Sequence, residues 1–221
     1  MENYMNDYLT IALPKGKLFT ISKNLLHRVG LSADHLSEKS RKLVIENEDL
    51  KVRFIIAKTS DVPTYVEYGA ADIGIIGKDV LLESPKDVYE ILDLGFGKCH
   101  LMMAVPQKEK RRRLLDYSYT RVATKYPHIA ESFFARQGMQ MEYIKLNGSI
   151  ELGPIVGLSE SIVDIVETGT TLAENDLEEI AHILDVSARL IVNRVSFKLK
   201  FHRINEIVNN LRPIIESGEI L

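Results

Sequence analysis

The chain has one cysteine and no tryptophan among its 221 residues. One cysteine cannot close an internal disulfide, so an oxidising compartment would add nothing to its stability. Cys99, between Lys98-His100 and the apolar run Leu101–Val105, reads as a small hydrophobe at a strand start rather than a nucleophile. No apolar run approaches the about 18 residues that a membrane-crossing helix needs. The opening Met1-Glu2-Asn3-Tyr4-Met5-Asn6-Asp7 is polar and slightly acidic, without the basic and apolar regions of a secretory signal. The expectation is a cytoplasmic protein with no membrane partner. An excess of positive charge is also missing: 28 basic side chains face 31 acidic ones, for a formal charge of −3, which argues against a general nucleic-acid binder. The one basic run, Lys108–Arg113, follows Val105-Pro106 and reads as a solvated surface segment, loop or helix start. The six histidines include no HExxH pair and no Cys/His cluster, so a transition-metal site is not expected. Internal repeats and low-complexity segments are absent.

Apolar residues at 45% and charged residues at 27% give the balance of a globular protein. The length suffices for one large core or two small ones. Strand and helix patterns alternate. Tyr8–Leu13 is a short apolar strand, followed by Leu18, Ile21, Leu25, Leu26 and Val29 at helical spacing, with Gly30 just past the helix end. Leu43–Glu46 and Lys51–Ala57 read as a hairpin. Asp61 is placed to cap a helix through Tyr68, with Pro63 in its first turn and Gly69 ending it. Ile73–Ile76 and Val88–Leu94 are extended, and Gly95-Phe96-Gly97 is a natural crossing between lobes. The rhythm then repeats. Leu101–Val105, Arg121–Thr124, Met141–Leu146, Ser161–Val166 and Ala188–Val195 read as strands. Helices are expected over His128–Gln137, in a short segment to Val156 capped by Asn147 or Ser149, from Thr170 to Asn175, and over Phe201–Ile215, interrupted by Pro213. Strands separated by helices predict an α/β fold with parallel sheets. The lobes are expected to be residues 1–94, completed by about 186–221, and residues 95–185.

The strongest chemical signal is Ile162-Val163-Asp164-Ile165-Val166-Glu167-Thr168-Gly169-Thr170-Thr171-Leu172. An apolar strand enters a Thr/Gly turn and a helix follows, so unpaired backbone N–H groups at the helix start can meet an anion. Gly169 lets the backbone come close to a phosphate, and the hydroxyls of Thr168, Thr170 and Thr171 add donors. No lysine of the GxxxxGK[ST] kind is present. Asp164, at the strand end, can accept hydrogen bonds from two adjacent sugar hydroxyls, so one loop would hold a 5′-phosphate and a ribose diol. Leu13-Pro14-Lys15-Gly16-Lys17-Leu18 is a second strand-to-helix turn, with two lysines flanking a glycine as mobile charges suited to phosphate. Arg41 is a third candidate cation.

The stretch Glu151–Leu172 resembles the signature of the ATP phosphoribosyltransferase family, through Glu151, Gly157, Ser159, Asp164, Thr168, Gly169, Thr171 and Leu172. Leu13-Pro14-Lys15-Gly16, Asp61–Glu67, Gly69–Gly74, Ala123-Thr124-Lys125-Tyr126 and Arg189–Asn193 are also similar to it, in order along nearly the whole chain. The resemblance implies two α/β lobes like type II periplasmic binding proteins, with an active site in the cleft between them. It implies transfer of 5-phosphoribosyl from 5-phosphoribosyl-1-pyrophosphate (PRPP) to N1 of ATP, releasing pyrophosphate, as the first step of histidine biosynthesis. Lys17, Arg41 and Asp164 are the catalytic expectations. Leu13, Lys15, Gly16, Asp72, Glu151, Thr168, Gly169, Thr170, Thr171 and Leu172 are the substrate-binding ones. Many members carry arginine at the place of Lys17, a position tied to the pyrophosphate leaving group. Lysine keeps the charge and loses the planar fork.

Mg²⁺ is expected through substrate phosphates, since it keeps its waters and needs no protein cage. Long members of the family add a histidine-binding C-terminal domain, whereas this sequence stops at Leu221, shortly after the tail helix. It therefore resembles the short form, for which a homodimer and a hetero-oligomer with a histidyl-tRNA synthetase-like regulatory subunit are implied. Two other readings stand beside this one. A non-catalytic ligand-binding module would use the same lobes. A salvage phosphoribosyltransferase of the type I fold would carry a similar loop, usually with two adjacent acids where this chain has Val163-Asp164.

Overall fold

A computed structural model of the chain describes residues 8–31, 33, 36, 37, 42–109 and 113–218. The chain divides into two compact units, one of Met1–Leu81, Pro85–Gly97 and Ser187–Leu221, the other of Leu82–Ser84 and Lys98–Val186. Gly95-Phe96-Gly97 thus belongs to the first unit, and the chain crosses after it.

The first unit is built on β1 (Leu9–Pro14), β2 (Val44–Asn47), β3 (Val52–Ala57), β4 (Ile73–Gly77), β5 (Val88–Asp93) and β11 (Ala188–Asn193), in the sheet order β2-β3-β1-β4-β11-β5. β1 is parallel to β3 and β4, and the β2–β3 hairpin is antiparallel as the sequence predicts. The expectation of parallel sheets needs correction, because β11 returns from the far end of the sequence and inserts antiparallel between β4 and β5. β1 is buried on both faces, which explains its unbroken apolar run. On one face Leu9, Ile11 and Leu13 pack with Phe19, Leu25 and Leu26 of α1 (Lys17–Arg28) and with Ile204, Ile207, Val208 and Leu211 of α8 (Phe201–Glu216). On the other, Ala12 and Ile76 meet Val62 and Val66 of α2 (Val62–Glu67). α3 (Lys78–Glu83) follows β4 directly.

The second unit carries β6 (Cys99–Pro106), β7 (Arg121–Thr124), β8 (Glu142–Lys145), β9 (Ser161–Val166) and β10 (Leu177–Val186), in the order β10-β6-β9-β7-β8. β7 is parallel to β8 and β9, whereas β6 is antiparallel to β9 and β10. On one face Val122 and Val163 pack against Ile129, Ala130 and Phe134 of α4 (Pro127–Arg136). On the other, Met102, Ala123, Ile162 and Val166 pack with Ile150 and with Leu172 of α6 (Thr170–Glu174). The first turn of α4 is capped by Glu83, whose carboxylate accepts from the N–H groups of His128 and Ile129 at 3.1 and 3.2 Å. That contact explains why the short segment Leu82–Ser84 clusters with the second unit. Cys99 starts β6, half-buried against the α4-side core.

Several local expectations are corrected. β10 escapes the sequence reading because its apolar residues, Leu177, Ile180, Ala181, Ile183, Leu184 and Val186, do not alternate. Two register shifts, between Glu179 and Ala181 and between His182 and Leu184, each insert an extra residue and slip the period of two. The short helix α5 (Leu152–Ile155) starts after Glu151, with no side-chain cap from Asn147 or Ser149; instead the Ser149 carbonyl accepts from the Leu152 N–H. Asp61 precedes α2, but its carboxylate accepts from the Ser60 hydroxyl rather than from the helix. Pro213 lies inside α8 without ending it. Extended chain stops at Asn193, and α7 (Arg194–Leu199) follows. Lys108 falls in a short helical turn at Gln107–Glu109 and is exposed; residues 110–112 of the basic run lie outside the described residues.

Candidate active site

In the second unit, the loop that the sequence singles out for ribose phosphate is one continuous piece of chain. β9 carries Asp164 near its C-terminal end, residues 167–169 turn, and α6 begins at Thr170. Gly169 sits at φ 77°, ψ −2°, the left-handed region that side chains with a Cβ rarely enter. A Cβ there would have no heavy atom closer than 4.0 Å, so glycine is called for by backbone conformation and not by crowding. The first amides of a helix have no partner within it. α6 has only five residues, so a long macrodipole contributes little, and what the turn offers an anion is its local N–H groups and hydroxyls. Thr168, Thr170 and Thr171 are exposed, and the Thr168 and Thr170 hydroxyls lie 3.1 Å apart, able to close on one oxyanion. Leu172 is buried and anchors α6 from beneath.

Asp164 points to the face of the sheet that holds Met102 and Ala123, and its partner across the sheet is Met102, fully buried. Burial pushes its carboxyl up to about 6. The Ile165 N–H, donating to Oδ1 at 2.8 Å, opposes this; the charge of Glu151 adds to it, and that of Lys125 pulls the other way. Glu151, at the start of α5, is thus near enough for its charge to act on Asp164. Lys125 was not assigned a role from the sequence. It is exposed at the C-terminal end of β7, and the signal that could have found it is a cation ending a strand next to β9.

In the first unit, the Lys15-Gly16-Lys17 turn joins β1 to α1 at the C-terminal end of the parallel strands, where ligands of open α/β sheets bind. Gly16 has φ 90°, ψ −151°, a conformation open in practice to glycine alone. Lys15 and Lys17 are exposed, and Lys17 is the first residue of α1, whose first turn holds no acid. A cation at a helix N-terminus is unfavourable to the dipole, a cost that a bound anion offsets. The turn is tied to the end of β3: the Lys15 N–H donates to the Ala57 carbonyl at 2.9 Å and the Thr59 hydroxyl to the Lys15 carbonyl at 3.2 Å. Leu13 is fully buried in the core, so its side chain supports the turn and does not face a ligand.

Asp72, expected among the substrate-binding residues, is buried and engaged within the first unit. Its Oδ2 accepts from the Thr10 N–H at 2.8 Å and from Lys200 Nζ at 2.7 Å. It thus joins the start of β4 to the start of β1, about 16 Å of strand from Lys15. Arg41 lies outside the described residues. Asn193 is a hub that the sequence did not reveal: it donates to the carbonyls of Val66 and Glu67 and accepts from the N–H groups of Val195 and Ser196, capping α7. Among the described residues no three His, Cys, Asp or Glu side chains converge as a metal site, and no helix is long and apolar enough to cross a membrane.

Known proteins resemble the chain over nearly its whole length. The model of the ATP phosphoribosyltransferase family matches residues 58–213. An ATP phosphoribosyltransferase of Desulfitobacterium hafniense is 53% identical over 216 residues, covering 95% of this chain and 97% of that protein. The ATP phosphoribosyl transferase (HisG:HisZ) complex from Thermotoga maritima contains a chain with a TM-score of 0.79 and 33% identity, covering 95% of this chain and 99% of that one. A substrate-binding protein of an amino-acid ABC transporter superposes with a TM-score of 0.61 at 11% identity, covering 96% and 95% of the two chains, which shows a shared fold alone. With two sheets of that architecture and relatives of this closeness, the chain belongs to the ATP phosphoribosyltransferase family.

Proposed function

We propose that this chain carries out the family reaction, transfer of 5-phosphoribosyl from PRPP to N1 of ATP, with the following division of labour. The observation that carries the reading is continuity: the strand β9, which carries Asp164 near its C-terminal end, runs directly into the Thr168–Thr171 turn. The turn holds the 5-phosphate through backbone N–H groups and threonine hydroxyls. Asp164, with Glu151 beside it, accepts from the ribose hydroxyls. Adenine N1 brings its own lone pair, so no strong base is needed. The barrier lies in separating anionic pyrophosphate from a ribose carbon that becomes cationic, and catalysis is mainly positioning and electrostatics. Negative charge at Asp164 favours that carbon. Lys15 and Lys17 supply positive charge to phosphate groups, with Lys17 on the leaving pyrophosphate, and Arg41 is a further candidate there.

Mg²⁺ fits as an ion carried on phosphate oxygens, since Glu151 and Asp164 are hard oxygen donors and the ion retains waters in such settings; when bound it would screen phosphate charge. The reading extends to a cytoplasmic short-form enzyme that dimerises. The solved Thermotoga maritima protein is a HisG:HisZ complex, which supports assembly of this chain with a regulatory subunit related to histidyl-tRNA synthetase. The test is to incubate the purified chain, alone and with such a subunit, with ATP, PRPP and Mg²⁺ and to follow ultraviolet absorbance for an N1-substituted adenine. No absorbance change under either condition would refute the reading, and transfer to a free base in place of ATP would redirect it to salvage chemistry.

A further inference from the structure

We propose that Lys125 is a catalytic residue of the second unit, contacting the pyrophosphate of PRPP as it leaves C1. The inference rests on the ribose-phosphate reading above and is carried by the order of strands. β9 lies between β6 and β7. From the phosphate-binding turn the chain runs through α6 into β10, on the far side of β6. Lys125 follows directly on β7 (Arg121–Thr124), on the opposite side of β9. The two parallel strands pair Ala123 with Ile162 and Thr124 with Val163, so the next step of the register sets Lys125 beside Asp164, on the same face of the sheet.

A ribose held by its diol at Asp164 has two ends. The C3 side leads through C4 and C5 to the 5-phosphate, and the C2 side leads to C1 and its pyrophosphate. With the 5-phosphate in the turn on the α6 side, C1 is directed toward β7. Lys125 is the cation there. Among the described residues it closes no ion pair, and its ammonium stands 5.7 Å from the centroid of the Tyr126 ring. The N-terminal amides of α4, which also lie just past β7, are already taken by Glu83, so the side chain and not the helix end supplies the positive charge. Pyrophosphate brought next to Glu151 and Asp164 would otherwise meet two carboxylates. As the C1–O bond breaks, its electron pair departs on the pyrophosphate oxygen, while the N1 lone pair of ATP forms the new bond to C1. Lys125 interacts most strongly when the charge on that oxygen is greatest.

The experiment uses the full chain, with its regulatory subunit if activity requires one. It measures kcat and KM for PRPP in wild type, Lys125→Gln, Lys125→Arg and Asp164→Asn, and ribose 5-phosphate binding by calorimetry in each. Lys125→Gln should lower kcat at least about tenfold, with ribose 5-phosphate affinity within about twofold of wild type, and Lys125→Arg should recover most of the loss. Wild-type kcat/KM in Lys125→Gln overturns the assignment. So does an equal loss of ribose 5-phosphate affinity, which would mean that Lys125 acts only by supporting Asp164. If instead Asp164→Asn binds ribose 5-phosphate as wild type does, the ribose-phosphate reading itself falls.

Discussion

Lys200 Nζ lies 2.7 Å from Asp72 Oδ2 and 2.7 Å from the Tyr8 carbonyl, where Asp72 is 5% exposed. The same carboxylate oxygen takes the Thr10 N–H, so one buried pair binds the junction of α7 and α8 to the edges of β1 and β4. Removing one partner of a buried pair leaves a charge unpaired, at about 3–5 kcal/mol. Lys200→Met should come in at the lower end, because the Lys200 side chain keeps 16% exposure. At about 2–4 °C per kcal/mol for a chain of this size, the melting temperature should drop by roughly 6 °C or more. Calorimetric unfolding checks this. Unchanged melting with lost substrate affinity would return Asp72 to the binding site that the family resemblance gave it.

Asp164 makes two opposite predictions for pH. Its folded carboxyl titrates at about 6 against an ordinary 3.8, so between those values the folded state holds more proton than the unfolded one. Stability therefore falls as pH rises through that window, and above it the buried charge is a standing cost. Asp164→Asn should remove the fall and melt higher than wild type at pH 7. Ligand binding has the reverse sign, because only the ionised carboxylate accepts from both hydroxyls. The kcat/KM for PRPP should decline below about pH 6, with one proton taken up, and Asp164→Asn should be at least about tenfold less active, since 1.4 kcal/mol is one decade. A mutant that is both less stable at pH 7 and fully active would contradict both halves.

Gly169 offers a test of the turn with little packing complication. An alanine Cβ meets no crowding, but φ 77° costs about 1–2 kcal/mol for an ordinary L-residue. Gly169→Ala should raise KM for PRPP roughly five- to thirtyfold, with a smaller effect on kcat, because the 5-phosphate does not change charge during the reaction. Gly169→Asn should do less harm, since asparagine visits this region more readily. Equal kinetics in wild type and the alanine variant would show that the turn does not hold the phosphate.

What could be read from the sequence was local. β9, its turn and α6 are contiguous, and an apolar strand entering Thr-Gly-Thr-Thr states its own geometry, so the strand, the turn and the helix start were recognisable. The β2–β3 hairpin and the helix stop at Gly30 were legible for the same reason. Relations across the sequence were not. The reversal of β11 depends on a strand from the far end of the sequence entering between β4 and β5, and β10 hides behind two bulges that erase its alternation. Asp72 was placed by analogy with a motif, yet its partner is 128 residues away. Lys125 looks like any exposed lysine until β7 is set beside β9.

Lys17 gives the last prediction. It opens α1 at the wrong end of the helix for a cation, so in the empty protein its charge opposes the helix dipole. A ligand that brings negative charge turns this cost into attraction, and the attraction should be greatest when pyrophosphate carries its full charge in the transition state. Interactions stronger in the transition state than in the ground state appear in kcat rather than in KM. Lys17→Ala should therefore lower kcat by at least about tenfold while changing the KM for ATP by less than about threefold. Thermal unfolding should find the variant folded, so that the change is read in the kinetics. Lys17→Arg keeps the charge and adds a planar fork that grips phosphate in two places, so its kcat should equal or exceed that of the wild type. Steady-state kinetics and thermal unfolding on the three proteins decide the matter. An alanine variant with intact kcat would remove Lys17 from the leaving-group site. An alanine variant that loses stability instead would make the lysine a structural element of the turn.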